Sequence, residues 1–437
     1  MRFAIATLGC KVNQYDSAAI EARLTAAGFE QTDFDQPAEV YVVNTCTVTD
    51  RADVESRRLA RRARRLNPSA RVIMTGCMAQ ASPQTLERFS EVDSVIGLNR
   101  LDDLVRAAAG TTELPRMMVS NLRKEHPELD IGAVVPAGQT RAFLKLQEGC
   151  DQFCSYCIVP FSRGASRSAE PRRVLEVLDE LHQRGFKEVI LTGVHLGGYG
   201  RDLTPPMELA RLLEMIAERC PIGRVRLSSL DPEELSDEII DILAGSEKFC
   251  RHLHLPLQAG EDEVLKWMRR RYVADQFRGR VERVLERMPE AAIGTDLIVG
   301  FPGESVQHFD RYLNFVQSLP LAYFHVFPYS IRSGTTAAKF SGHVNAAEIK
   351  RRAEVLRKLG EQRRQQFAAN FVGAKLKVLV EDMRDPQTQA LRGYSRNYIR
   401  VLVQGPDHFK NYELTVEASA LRGTSLVGRI AQPEHCG

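Results

Sequence analysis

Cys150, Cys154 and Cys157 fall within the stretch GCDQFCSYCIVPFSRG, Gly149 to Gly164. Thiolates spaced C-x3-C-x2-C in one loop can hold three corners of a cubic iron–sulfur cluster, which leaves the fourth iron open to a small chelating molecule. Structural zinc is the rival, but it asks for four closed ligands, most often two C-x2-C pairs. The next cysteine downstream is Cys220, and the loop holds no histidine. A second set is dispersed: Cys10 ends TLGC, Cys46 ends VNTC and Cys77 ends MTGC. Each closes a run that reads as a strand. The C-terminal ends of parallel strands share one edge, where ligand crevices form, so these three thiols are expected to meet. Again there are three and not four. A single cysteine at a strand end is commonly just a small hydrophobe, but repetition at three successive strand ends argues for a second cluster. Cys220, Cys250 and Cys436 show no such placement and read as ordinary thiols. His252 and His254 alternate on one strand and read as barrel-lining or packing residues.

The elements that must position these residues follow from the pattern. RFAIATLG, EVYVVNT and RVIMTG read as strands, with helices expected over Gln14 to Ala27, Asp50 to Leu66 and Ala81 to Phe89, then a short strand at DSVIG. Strands alternating with helices imply parallel pairing and an open α/β domain over residues 1–106. The rhythm lapses over 107–139, read as a linker or peripheral segment. It resumes with AFLKLQEGC, EVILTGV, RVRLSSL, RHLHLPLQ, AAIGTDLIVGF and AYFHVFPYS. Six successive βα units suggest an open, partial (βα)6 barrel over 140–370, with chemistry at the C-terminal strand ends. A long charged helix, Ala346 to Phe371, closes that unit. The short alternating runs of 371–437 fit a small antiparallel β-barrel.

Composition narrows the class. The chain has 437 residues, 43% hydrophobic and 26% charged, with nine cysteines and a net charge of +3. An odd cysteine count without a secretory start disfavours a disulfide framework. No run approaches the ~18 apolar residues that span a bilayer, so no membrane role and a cytoplasmic location are expected. Near-neutral charge means that nucleic-acid affinity must come from local patches. One is RRLARRARR, Arg57 to Arg65, where Arg57, Arg58, Arg61 and Arg62 could follow phosphates. Another is RGYSRNYIRV, read as one strand whose Tyr394, Arg396 and Tyr398 share a face and could stack unpaired bases. The bland reading of both is an ordinary solvated face.

The cysteine loop after a first barrel strand resembles the radical S-adenosylmethionine superfamily. LGCKVNQYDS, VNTCTVTDRAD, TGCMAQ, RLSSLDPEEL, HLHLPLQAG and IGTDLIVGFPGE together resemble its methylthiotransferases over nearly the whole chain. Cys10 to Tyr15 look most like the branch that modifies N6-threonylcarbamoyladenosine at position 37 of tRNA. The last unit looks like the TRAM module, an RNA-associated barrel. The resemblance implies a radical-generating 4Fe–4S cluster on Cys150, Cys154 and Cys157, and an auxiliary 4Fe–4S cluster on Cys10, Cys46 and Cys77. S-adenosylmethionine would chelate the open iron and serve both as radical source and as methyl donor. Tyr156, Thr192, Gly193, Ser228 and Asp296 would line its pocket. Adenine C2–H is not acidic enough for a side-chain base, whereas a cofactor-derived radical can take such a hydrogen. No side chain is assigned as catalytic beyond these cofactors. An electron donor such as a flavodoxin or ferredoxin is implied, and the sulfur donor is not named by the sequence. The alternatives are a sister enzyme acting on isopentenyladenosine-37 or on a ribosomal-protein aspartate, and a non-catalytic, zinc-stabilised RNA-binding protein.

Overall fold

The computed structural model describes residues 1–111, 114–135 and 138–431; Cys436 lies outside them. Three units follow one another. The first is a parallel sheet ordered 30–31, Arg2–Thr7, Val40–Thr45, Arg71–Gly76, Ser94–Ile96, Met117–Met118. Val40–Thr45 is buried at all six positions, as a central parallel strand with both faces covered must be. Helix Asp50–Leu66 begins on Thr49, whose side chain accepts from the Ala52 amide, which satisfies one orphan donor of the first turn. The first helix starts at Lys11, directly after Cys10, rather than at Gln14. The single helix expected over Ala81 to Phe89 is instead two short ones, Cys77–Ala81 and Pro83–Glu87. Pro83 forces the break, because it lacks an amide and bars helical backbone at Ser82. Within the segment read as a linker or peripheral segment, Met117–Met118 pairs in parallel with Ser94–Ile96 and extends the first sheet at its edge.

The second unit carries six parallel strands, Arg141–Glu148, Glu188–Gly193, Arg224–Leu227, His252–His254, Ala292–Val299 and Tyr323–Pro328. Bridges at Val225–Phe249 and Ser229–His254 join the two halves into one arc. Its apolar core runs from Ile131 to Leu356. The expected partial barrel is therefore present. Helix Ala346–Ala369 packs back on the sixth strand and leads to a closed five-stranded barrel spanning Lys375–Ile430.

The small barrel docks against the base of the arc through buried charge. Glu188 is fully buried and pairs with Arg224 Nε at 2.7 Å and Arg226 Nε at 2.9 Å. Burial would raise its carboxyl, but Arg226 and Arg224 outweigh that and lower it to about 2. The two arginines then donate to the carbonyls of Tyr394 (3.1 Å) and Arg396 (3.0 Å) in the small barrel. Removing one partner of a buried pair leaves the other charge stranded. Glu188→Gln is therefore expected to cost about 3–5 kcal/mol in chemical denaturation of the full chain, and to expose the small barrel to proteolysis first. A change below ~0.5 kcal/mol would mean that the arginines hold the junction without it.

That docking alters one expectation. Arg392 to Val401 does not form a single strand. The strand stops at Ser395, Arg396 and Asn397 turn, and Tyr398 takes a left-handed φ of 64°. Tyr394 and Tyr398 do stack, with centroids 5.0 Å apart and planes at 21°. Arg396 faces elsewhere, pairing with Glu413 at 2.9 Å and donating to the Gly223 carbonyl at 3.1 Å. It is a docking residue, not a member of an open stacking strip.

Candidate metal and cofactor centre

The first sheet gathers Cys10, Cys46 and Cys77 at one edge, and Asn13 organises them. Its side-chain amide donates to the carbonyls of Leu8 (2.7 Å) and Thr45 (3.0 Å), fixing the loops that carry Cys10 and Cys46. Its Oδ1 lies 3.9 Å from Cys10 Sγ and 3.8 Å from Cys77 Sγ. Thr45 Oγ1 accepts from the amides of Met78 and Ala79, which seats the short helix that begins at Cys77. Gly9, at φ 103°, must be glycine, since a Cβ would stand 3.0 Å from Cys46 Cβ and 3.1 Å from its sulfur.

Behind Cys77 lies a set of residues that the sequence reading did not single out. Arg163, fully buried, donates from Nε to Cys77 Sγ at 3.2 Å. Its other nitrogens bond both carboxylate oxygens of Glu148 (2.8 and 2.9 Å), Asp16 (2.9 Å) and Asn13 Oδ1 (2.5 Å). Lys145 completes the network, 2.6 Å from Asp16 and 2.8 Å from Glu148. Its signal was the pair of charged residues inside the strand FLKLQE and the arginine closing PFSRG, but nothing in their spacing shows that they meet.

In the second unit the cysteine loop leaves the first barrel strand at Gly149. A Cβ there would sit 1.9 Å from the Ala165 carbonyl oxygen, so glycine lets the two ends of the loop close on each other. The Cys150 amide donates to the Gly164 carbonyl at 3.1 Å. Ser155 is pinned by its amide to Met268 O (3.0 Å) and by its hydroxyl to Trp267 O (2.7 Å). Arg270 donates to Cys154 Sγ at 3.4 Å and pairs with Asp231. Each trio thus has one arginine aimed at one sulfur.

These residues suit iron–sulfur clusters better than a single ion. Burial pushes the Cys77 and Cys150 thiols up to about 12, and raises Cys46 and Cys157 as well. Bare thiolates would be costly here, while bound iron and the Arg163 charge favour them. A tetrahedral zinc would hold thiolates about 3.8 Å apart. Among the described residues, no group of three or more ligand atoms lying within 4.8 Å of one another includes a cysteine. Cys220 and Cys250 are buried apart from both trios, as ordinary core thiols.

Of the five residues expected around the cofactor, Tyr156 and Asp296 line one cavity, while Thr192, Gly193 and Ser228 lie outside its lining. Thr192 and Gly193 end the second barrel strand, and a Cβ on Gly193 would fall 3.1 Å from Gln147 Cβ. Ser228 Oγ is buried with no hydrogen-bond partner. Tyr156, Cys157 and Asp296 line a cavity of about 200 Å³ together with Val48 and Thr49 of the first unit. Arg332 closes that junction, bonding Thr47 O (3.1 Å), Asp50 (2.6 Å) and Asp53 (2.8 Å). The cavity is therefore walled by both units.

Residues 2–97 match the uncharacterized protein family UPF0004, and residues 144–316 match the radical SAM superfamily. The chain is 38% identical to the threonylcarbamoyladenosine tRNA methylthiotransferase MtaB of Bacillus subtilis, covering 92% of this chain and 90% of that one. It belongs to the radical S-adenosylmethionine methylthiotransferases. The MtaB of Aquifex aeolicus is 35% identical over 93% of this chain and 97% of its own. A tRNA-2-methylthio-N(6)-dimethylallyladenosine synthase of Syntrophobacter fumaroxidans reaches 32% over 98% and 96%. Among solved structures, the radical S-adenosylmethionine methyltransferase TsrM of Kitasatospora setae shares the fold. Its TM-score is 0.58 at 16% identity, covering 75% of this chain and 74% of that one. As a methylthiotransferase of this superfamily, the protein is an enzyme that uses S-adenosylmethionine and a 4Fe–4S cluster. Among the described residues, no helix is long and apolar enough to cross a membrane.

The remaining residues singled out from the sequence lie on helix Asp50–Leu66. Arg58, Arg61 and Arg62 face solvent in surface ion pairs with Glu55 (3.3 Å), Glu91 (3.5 Å) and Asp35 (2.5 Å). Arg57 and Arg61 cover the Phe89 ring. Arg64, by contrast, is spent on the carbonyls of Pro68, Ala70 and Glu91.

Proposed function

We propose that this enzyme adds a methylthio group to C2 of N6-threonylcarbamoyladenosine at position 37 of tRNA. The observation that carries the reading is a cavity with Cys157 and Tyr156 of the cysteine loop on one wall and Val48 and Thr49, which follow Cys46, on the other. A methylthio transfer needs a hydrogen-abstracting centre and a sulfur-bearing centre facing one substrate. Cys150, Cys154 and Cys157 would hold the first cluster, and Cys10, Cys46 and Cys77 a second, auxiliary one. When bound, S-adenosylmethionine and the two clusters supply hydrogen abstraction from an unacidic carbon, a methyl group and sulfur.

The chain's own residues bind and orient. Tyr156, Thr192, Gly193, Ser228 and Asp296 border the cofactor. Arg270 and Arg163 offset thiolate charge, and Arg332 ties the two units together beside the cavity. The exposed Arg58, Arg61 and Arg62, with the half-buried Arg57 beside them, give phosphates a basic track, and Tyr394 and Tyr398, half-buried at the junction with the small barrel, offer aromatic surface. A one-electron donor of the flavodoxin or ferredoxin kind and a cytoplasmic site of action belong to the same reading. The sister activity on an alkylated adenosine is favoured by the dimethylallyl-type relatives at 30–32% identity. The MtaB relatives at 34–38% weigh more.

Mass spectrometry of tRNA nucleosides from a deletion strain separates the two. Loss of 2-methylthio-threonylcarbamoyladenosine, with build-up of its unthiolated precursor, is the expected result. Loss of the dimethylallyl product instead would transfer the protein to the sister activity, and unchanged levels of both would reject the reading.

A further inference from the structure

Among the described residues, three groups of histidine and acidic side chains bring their ligand atoms within 4.8 Å of one another. Two of them are already engaged by arginine. Where His195, Asp231 and Glu234 meet, Arg270 pairs with Asp231 and Arg201 with Glu234 at 3.0 Å. Where Glu261, Glu263 and His308 meet, Arg311 pairs with Glu261 at 2.9 Å. The third group is His254, Asp296 and His325, and no described arginine or lysine lies within 4 Å of its carboxylate.

The register of the barrel strands assembles this third group. His254 ends the fourth strand opposite Gly294, and Asp296, two residues on from Gly294, stands opposite His325 of the sixth. Residues two apart on a strand share a face, so the three side chains stand on one side of the sheet. The two imidazole centroids are 6.0 Å apart. One pleat below, His252 Nε2 meets Tyr323 Oη at 2.7 Å, and that level is bridged by a direct hydrogen bond.

The upper level has no such bridge. His254 is 8% exposed, and its Nε2 is buried without a hydrogen-bond partner. That nitrogen lies 3.3 Å from Asp296 Oδ1 but lacks hydrogen-bond geometry toward it. The other ring nitrogen, Nδ1, is engaged at 2.8 Å by Ser229 Oγ. A proton given from Nδ1 to the hydroxyl leaves a lone pair on Nε2 facing a carboxylate, an arrangement that a cation between them would relieve. Metal-bound imidazoles are held through their second nitrogen in just this way. Two donors each about 2.0–2.1 Å from a tetrahedral ion stand ~3.3 Å apart, which matches the observed separation. Asp296 also borders the cavity of about 200 Å³ shared with Cys157, and His325 borders one of about 290 Å³ lined by Tyr394 and Tyr398.

We propose that His254, Asp296 and His325 bind one divalent first-row metal ion, separate from both cysteine trios. Two imidazoles and one carboxylate suit zinc, manganese or iron(II). Three protein ligands leave positions open for water or for an oxygen of a molecule bound in either cavity.

The test dialyses reconstituted holoenzyme, without tRNA, against Zn2+ and, separately, Mn2+, and counts bound metal and iron by plasma mass spectrometry. Wild type should take up one ion of at least one of the two per chain, with its cluster iron unchanged. His254→Gln and His325→Gln should each lose that ion and keep their iron. Asp296→Asn should lose it too, but Asp296 also borders the cofactor cavity, so the histidine variants decide. Ser229→Ala, which removes only the hydroxyl behind His254, should weaken uptake about 10- to 100-fold. His252→Gln, one pleat below, should bind as wild type does. No ion in wild type, unchanged affinity in either histidine variant, or equal loss in His252→Gln would overturn the proposal. Uptake matched by loss of iron would place the ion on the cysteines and overturn it as well. The tRNA reading is decided separately, by the nucleoside assay.

Discussion

Alanine at Cys150, Cys154 and Cys157 together will halve the iron of the anaerobically reconstituted protein, from about eight to about four per chain, since a cubic cluster holds four. The residual iron is expected because Cys10, Cys46 and Cys77 sit on a separate sheet with its own organising residues, Asn13 and Thr45. Reductive cleavage of S-adenosylmethionine should fall below detection, because no protein ligand remains to hold the cluster whose open iron would bind it. The reciprocal variant, alanine at Cys10, Cys46 and Cys77, should keep that cleavage and lose methylthio transfer. Iron analysis, electron paramagnetic resonance and product assay decide between outcomes. Loss of all iron in the first variant would show that the two trios form one site, and full retention would show that the loop cysteines hold no cluster.

The second large effect centres on Arg163. This side chain touches Cys77 Sγ, Glu148, Asp16 and Asn13 at once, with all but the Asp16 contact fully buried. Arg163→Gln removes the cation while two buried carboxylates remain, now sharing only Lys145. A cost of about 3–5 kcal/mol is expected from stranding charge in this way, read as a lower denaturation midpoint of the holoprotein. The diagnostic signature lies elsewhere. Withdrawing a donor and a positive charge from a ligating sulfur disfavours the reduced cluster. The midpoint potential of the proposed auxiliary cluster should therefore fall, measured by titration in the triple-alanine background where it would stand alone. Arg163→Lys restores the charge but not the planar fork, and should recover stability more fully than potential. An unchanged potential in both variants would reduce Arg163 to packing.

The local geometry explains why both effects are steep. Arg163 belongs to the same short stretch as the loop cysteines, 149–164, yet its guanidinium serves the other unit's Cys77. The first helix, starting at Cys10, sends Asp16 into the same network. Disturbing one centre is therefore felt at the other, through contacts rather than through the backbone.

Much of this was legible along the chain, because the signals were local. A three-cysteine loop, a glycine before three of the six cysteines, and alternating strands and helices are read within ten residues or fewer. They sufficed for the α/β sheet, the partial barrel, the terminal β-barrel and both cysteine trios. Reading boundaries was harder where chemistry at one residue decides. Pro83 split a helix, and Cys10 itself proved to be the N-cap of the first one.

What only the folded chain decided is which distant charges meet. Glu188 and Arg396 are far apart in sequence, yet both serve the small barrel's docking, and that docking turned Arg396 away from the RNA face it was expected to share with two tyrosines. Arg163 reaches Cys77 for the same reason. Periodicity along a sequence reports which face of an element is buried. Long polar side chains are placed instead by which oppositely charged partner is within reach once the units pack, and no spacing encodes that.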